Sequence, residues 1–154
     1  MNSGSGKTWM KKCMVTVVVI GFISCFQVIS TPATETQNVM KIRVEANGQS
    51  TIFQLNGSTA AKDLYAQLPL DIEVEDYGGM EKIFYPPQQL DTTDTPLVDS
   101  TKPGTFAYYA PWGDVVMFYK KFGSAAGLYV LGQAVSGEED IQKMSGSLRI
   151  TREE

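Results

Sequence analysis

Histidine is absent from this 154-residue chain, and cysteine occurs only twice. Both cysteines, Cys13 and Cys25, lie near the N-terminus, so the rest of the chain has no pair to bridge and must be held by its core. Without these ligands a zinc or copper site is not expected, and no cofactor is predicted. Basic residues are also scarce after Cys25. There, 10 Lys and Arg face 17 Asp and Glu, and the resulting net charge of −7 disfavours nucleic-acid binding.

Residues 1–28 have the features of an export leader. Three Lys residues precede a short apolar run over 14–24, as in a secretory signal peptide, and Met10 is an alternative start. The FISC segment ending at Cys25 resembles a bacterial lipobox and predicts lipidation of Cys25. A cleaved soluble form and an uncleaved anchor remain open. We therefore expect an exported protein of the cell envelope or periplasm, in contact with the membrane only through its leader or lipid anchor.

A single domain is expected over 39–154, after a tether over 29–38 that is rich in Thr and other polar residues. Charged and apolar residues alternate over 41–46, as in a half-buried strand. Asn47-Gly48 then predicts a type I′ hairpin turn, because both residues tolerate positive φ. Residues 50–55 form the returning strand of this hairpin.

The remaining pattern alternates short strands with only two helices. One helix is predicted after a cap at Ser58 or Thr59 and ends at Pro69, and the other begins at a capping box over 136–139. Further strands are predicted over 70–75, 80–85, 105–110, 115–119, 128–135 and 147–152. Those at 105–110 and 115–119 are apolar on both faces, which is typical of central strands. Seven or eight strands without a βαβ rhythm indicate a mainly β, closed barrel.

Several motifs resemble those of small bacterial cyclophilin-like domains. They are DYGGMEK over 76–82, YYAPWGD over 108–114 with Phe118-Tyr119, GL with LG over 127–132, and the closing helix and strand. The resemblance covers nearly all of 40–152 and implies a compact cyclophilin-like β-barrel with a cleft. It implies no settled activity, because a fold does not fix a function.

A ligand site is predicted around Trp112, which lies at the hairpin turn over 111–114. A large aromatic residue at a turn either walls a pocket or folds back as a plug over the barrel end, and the sequence leaves both open. We predict a cleft for a small molecule or peptide, and its candidate ligand-binding residues are Glu81, Tyr85, Tyr108, Trp112, Met117 and Tyr119. The favoured function is a non-catalytic binding module.

An enzyme is the alternative function. True cyclophilins use an Arg in a Phe-His-Arg signature, which this chain lacks, and Arg43, Arg149 and Arg152 are expected to face outward from alternating strands. A weak prolyl isomerase, or another chemistry with Glu81 as general base, stays open. No catalytic residue is assigned. No metal site is predicted, since the acids of the loop over 91–99 lack the spacing of a calcium loop.

Overall fold

The computed structural model describes residues 39–154, so the predicted leader, the tether and the lipidation site at Cys25 lie outside the described residues. Eight strands and two short helices occur in this part of the chain. In chain order they are β1 (Lys41–Ala46), β2 (Gln49–Leu55), α1 (Thr59–Ala66), β3 (Leu70–Tyr77), β4 (Glu81–Phe84), β5 (Thr105–Tyr109), β6 (Asp114–Phe118), β7 (Leu128–Ser136), a 3-10 helix (Glu138–Lys143) and β8 (Gly146–Glu153). No helix among residues 39–154 is long and apolar enough to cross a membrane.

The strands are antiparallel and close into a barrel in the order β1-β2-β7-β5-β6-β4-β3-β8. This confirms the predicted barrel. The first hairpin turns at Asn47 and Gly48, whose φ angles are 42° and 82°, as the type I′ prediction requires. Ser58 caps α1 by accepting a hydrogen bond from the backbone N–H of Ala61 at 3.4 Å.

The predicted capping box was wrong. Ser136 is the last residue of β7 and pairs with Ile52 of β2, so its side chain does not cap a helix. Gly137 has a φ of 73°, and its carbonyl accepts a hydrogen bond of 2.6 Å from the Thr51 hydroxyl. Sheet pairing therefore decides the conformation here, and the following helix is a 3-10 helix without a side-chain cap.

Two apolar clusters lie on opposite faces of the barrel wall. The inner cluster fills the barrel, and Phe53 stacks on Phe106 in it with 4.5 Å between ring centroids. The outer cluster joins outward-facing residues of the wall strands to Val98 of the segment that follows β4, and it consists of Ile83, Val98, Ala107, Val116, Phe118 and Leu128. Because side chains alternate along a strand, a strand flanked by both clusters carries apolar residues on both of its faces, as predicted for β5 and β6.

Two irregular segments cover the outer cluster. The segment over 85–104 follows β4, and the loop over 119–127 joins β6 to β7. They are tied together at Thr101 and Phe122, since the Phe122 N–H donates to the Thr101 hydroxyl at 2.7 Å and the Phe122 carbonyl accepts from the Thr101 N–H at 3.1 Å. Val98 also donates to the Leu128 carbonyl at 2.9 Å. The outer cluster and the two segments over it thus form a second, smaller apolar core. A pocket lies next to this core and shares some of its residues.

Candidate functional site

A pocket of about 190 Å³ lies on the outer face of the barrel. It is formed where alternate residues of β4 and β6 point outward beneath the loop over 119–127. Its lining combines several aromatic and aliphatic side chains with two carboxyl groups. The lining residues are Tyr77, Met80, Glu81, Tyr109, Trp112, Asp114, Val116, Phe118, Phe122, Ala125 and Leu128.

Three aromatic residues, Tyr77, Tyr109 and Trp112, form what we term the aromatic wall of the pocket. The ring of Trp112 meets that of Tyr77 at 86° and 5.2 Å and that of Tyr109 at 76° and 5.4 Å. The turn is tight, because the Tyr109 carbonyl accepts hydrogen bonds from the N–H groups of Trp112 and Gly113. Trp112 is 51% exposed. It lines the pocket and does not plug the barrel end.

Asp114 is the buried polar group of the pocket. It is the first residue of β6, it is 1% exposed, and its Oδ1 accepts no hydrogen bond from residues 39–154. Burial raises the pKa of Asp114 to about 6, because desolvation disfavours the charged form. At neutral pH this carboxyl group is therefore mostly ionised, and it takes up a proton as the pH falls through about 6.

Glu81 is the second carboxyl group of the pocket. Burial raises the pKa of Glu81 to about 7, and the negative charge of Asp114 adds to the shift. Glu81 pairs with Phe118, four residues along β6 from Asp114, so about 13 Å of strand separates the backbones of the two acids. The two side chains therefore enter the pocket from different strands, close enough for the charge of Asp114 to act on Glu81.

The sequence profile of the Cyclophilin-like family matches residues 44–153. The chain belongs to the cyclophilin-like family. Its barrel is similar to the solution structure of a hypothetical protein from Archaeoglobus fulgidus, with a TM-score of 0.58 and 16% sequence identity over 75% of this chain and 95% of that one. This likeness shows the fold alone. No curated protein matches the chain.

The cyclophilin-like barrel brings two of the six predicted ligand residues, Glu81 and Trp112, into the pocket. Tyr108 and Met117 do not line it. They are buried in the inner cluster, because they occupy the alternate positions of β5 and β6 that point into the barrel. Tyr85 follows the end of β4, is 44% exposed and also lies outside the lining.

Tyr119, the sixth predicted residue, packs against the inner cluster and belongs to a polar network outside the pocket lining. Its hydroxyl donates to Asp76 at 2.9 Å, and the Lys82 ammonium forms an ion pair with the same carboxylate at 2.8 Å. Burial raises the pKa of Tyr119 to about 12, with the Asp76 hydrogen bond as a further cause. The Lys82 hydrogen bond holds the pKa of Asp76 below its ordinary value. The Tyr119 hydroxyl therefore already has a hydrogen-bond acceptor within the protein, the Asp76 carboxylate.

Sequence reasoning missed Asp114, Tyr77 and Tyr109 as lining residues. The signal for Asp114 was present, because an acid at the start of an apolar strand must face one side or the other of the sheet. Counting by twos from Asp114 gives Val116 and Phe118, both of which line the same pocket. Tyr77 gives no such local signal, since it reaches the pocket from the far end of β3.

None of the three arginines lines the pocket, and Arg43 and Arg149 face outward as the alternation predicted, whereas Arg152 lies on the inward strand face, opposite Ile42 at the end of the barrel. Arg43 forms an ion pair with Glu153 at 2.7 Å, and Arg149 forms one with Asp71 at 3.1 Å. Arg152 donates to the Tyr65 carbonyl at 3.2 Å. No Arg side chain therefore lines the pocket, where it could donate a hydrogen bond to a prolyl peptide bond. Within residues 39–154, no group of three or more acidic, Cys or His side chains is placed to hold a metal ion.

Proposed function

We propose that this cyclophilin-like barrel is a binding module for a small molecule or for one side chain of a peptide. The observation that carries the proposal is the outer pocket, in which an aromatic wall and two carboxyl groups converge on about 190 Å³. An apolar cavity of about 150 Å³ can hold benzene, whereas sites for larger organic ligands usually span about 300–1,000 Å³. The pocket therefore fits one ring-sized group.

Replacement of Trp112 tests this proposal. We expect Trp112→Ala to weaken binding of pocket ligands by about 1–3 kcal/mol, or roughly 5- to 150-fold, because it removes the central ring of the aromatic wall. The variant should still unfold cooperatively, since Trp112 is half exposed. Ligands are found by screening ring-sized compounds for a saturable change in tryptophan emission, in a Trp9→Phe background where Trp112 is the one remaining Trp. Calorimetry then measures the affinities.

Val135→Ala is the matched control for this experiment. Val135 is a similarly exposed apolar residue, at 53%, but lies on β7 outside the pocket lining. Affinities should be unchanged in this variant. The proposal fails if no compound saturates the signal, or if Trp112→Ala binds the compounds found as tightly as the parent protein does.

An enzyme is the second candidate function. The raised pKa of the Glu81 carboxyl group favours it. A general base works best when its pKa lies near the operating pH, and the pKa of Glu81 is raised to about 7. An enzyme would return a pocket ligand chemically changed, and Glu81→Gln would stop the conversion while retaining binding. Recovery of every ligand unaltered, together with no acceleration of X-Pro exchange, would favour the binding module.

We also propose that the protein is exported and is anchored by a lipid on Cys25. The support is the order of basic residues, apolar run and Cys in the first 25 positions. The expected result is that the full chain incorporates labelled fatty acid and sediments with membranes, and that Cys25→Ala does neither. Cys13→Ala is the control and should behave as the parent chain. Equal labelling of Cys25→Ala would contradict the anchor.

A further inference from the structure

We propose that the ligand of this pocket carries a positive charge, as a small organic ammonium ion held by the Asp114 and Glu81 carboxylates and the aromatic wall. The inference rests on the proposed function and names the chemical class of ligand for the same site. It depends on three features of the described residues: an unpaired buried acceptor, the shortage of protein cations at the pocket, and the arrangement of the rings.

The unpaired acceptor is Oδ1 of Asp114. The residue is 1% exposed and lines the pocket, yet no donor of residues 39–154 reaches this oxygen. Buried polar atoms nearly always have a partner, and an unpaired one calls for an explanation. A ligand N–H group placed in the pocket would supply the missing donor, and a charged donor would form the stronger bond.

No Lys or Arg side chain belongs to the pocket lining. Lys82 adjoins Glu81 in β4, but neighbouring strand residues point to opposite faces, and its ammonium is paired with Asp76 at 2.8 Å. Lys120 lies over the ring of Tyr119, with 5.7 Å between its Nζ and the ring centroid. The two pocket carboxyl groups are therefore balanced by no protein cation in the described part of the chain, and they favour either a proton or a bound cation.

The aromatic wall provides the third feature. Tyr77 and Tyr109 each stand nearly perpendicular to Trp112, so the rings of the wall turn their faces in more than one direction instead of forming a flat stack. The negative face of an aromatic ring attracts an ammonium group, and Trp is the most effective ring. The remaining titratable groups near the two acids are the phenols of the aromatic wall and those of Tyr85 and Tyr119, which supply no positive charge.

A matched pair of probes tests the charge. The full-length chain is titrated by calorimetry with 2-phenylethylamine, which is cationic at neutral pH, and with 2-phenylethanol, its neutral counterpart of similar shape. We expect the amine to bind about 10-fold more tightly or better near pH 8. The preference should shrink as the pH falls through about 7 and about 6, because Glu81 and Asp114 then take up protons and lose their charge.

Variants separate the carboxylates from the rest of the surface. Asp114→Asn should reduce the preference for the amine to about 3-fold or less, and Glu81→Gln, at a more exposed position, should reduce it as well while leaving the fold intact. Asp71→Asn is the control. Asp71 is an exposed acid paired with Arg149 away from the pocket, so this variant should keep the full preference.

The outcomes distinguish this inference from the proposed function. Equal binding of the amine and the alcohol, unchanged in Asp114→Asn, would overturn the charge inference and leave the pocket as a site for neutral ligands. The same conclusion holds if neither probe binds while the fluorescence screen yields neutral ligands. If neither probe binds and the screen yields nothing, the proposed function itself fails, and this inference fails with it.

Discussion

Acidification from about pH 8 to about pH 5 is expected to increase the free energy of unfolding. The folded state holds the pKa of Asp114 at about 6 and that of Glu81 at about 7, above their ordinary values of 3.8 and 4.5. Between these values the folded chain binds protons that the unfolded chain does not, so stability falls as pH rises through this window. The nearly fully buried Asp114 takes up its proton only over the last pH unit or so of this range, so it contributes a change of about 1 kcal/mol.

Asp114→Asn should remove much of this pH dependence. Near pH 8 the variant should be about 1–3 kcal/mol more stable than the parent protein, because it no longer buries an ionised carboxylate. Near pH 5 the difference should be about half as large, and it should vanish only below about pH 4, where the unfolded chain is protonated at this position as well. Guanidinium denaturation at both pH values measures the effect, with the exposed Asp71→Asn as control. Parallel stability curves for the parent and Asp114→Asn would show that the carboxyl group is not desolvated as the structure indicates.

Gly137→Ala is expected to destabilise the fold by about 2–5 kcal/mol. Two costs add at this position. The φ of 73° is unfavourable for a residue with a Cβ, by about 1–2 kcal/mol. A Cβ would also meet the Ser50 carbonyl oxygen and approach the Thr51 Cα to 3.2 Å, and this backbone belongs to a paired strand that cannot easily move. Overpacking of this kind typically costs a further 1–3 kcal/mol or so.

Gly48→Ala isolates the first of these costs. Gly48 has a φ of 82°, but a Cβ there would meet no atom within 4 Å. We expect this variant to lose only about 1–2 kcal/mol. Denaturation of both variants under the same conditions gives the contribution of the close approach by difference. Equal losses at the two positions would rule out the contact between Gly137 and β2 as a cause.

The barrel could be predicted because its determinants are local. Alternation over 41–46 and 147–152 gave two strands that pair with each other, and the Asn47-Gly48 turn gave the register of the first hairpin. The capping box at Ser136 failed for a non-local reason. A serine followed three residues later by a glutamate satisfies the helix pattern, but pairing with β2 placed Ser136 in the sheet.

The pocket could be predicted only in part, because strands that are apolar on both faces do not reveal which face lies inside. For this reason the sequence predicts Tyr108 and Met117 in the site although they point into the barrel, and it predicts Asp114 in the turn although it lines the pocket. Trp112 and Glu81 could be predicted as pocket residues. Trp112 lies in a turn and Glu81 carries a charge, and both features indicate an outward-facing side chain. Tyr77 required the tertiary structure, since β3 approaches from elsewhere in the chain.

The closure of the barrel limits how a peptide partner could be recognised. All eight strands of residues 39–154 already pair on both sides, so an incoming peptide finds no free edge in this part of the chain at which to add a strand, and it cannot use there the main-chain recognition that open sheets offer. A peptide would have to insert the tip of one side chain into the pocket. The barrel would then ignore the rest of the peptide's sequence, and a free metabolite bearing the same end group would compete with it directly.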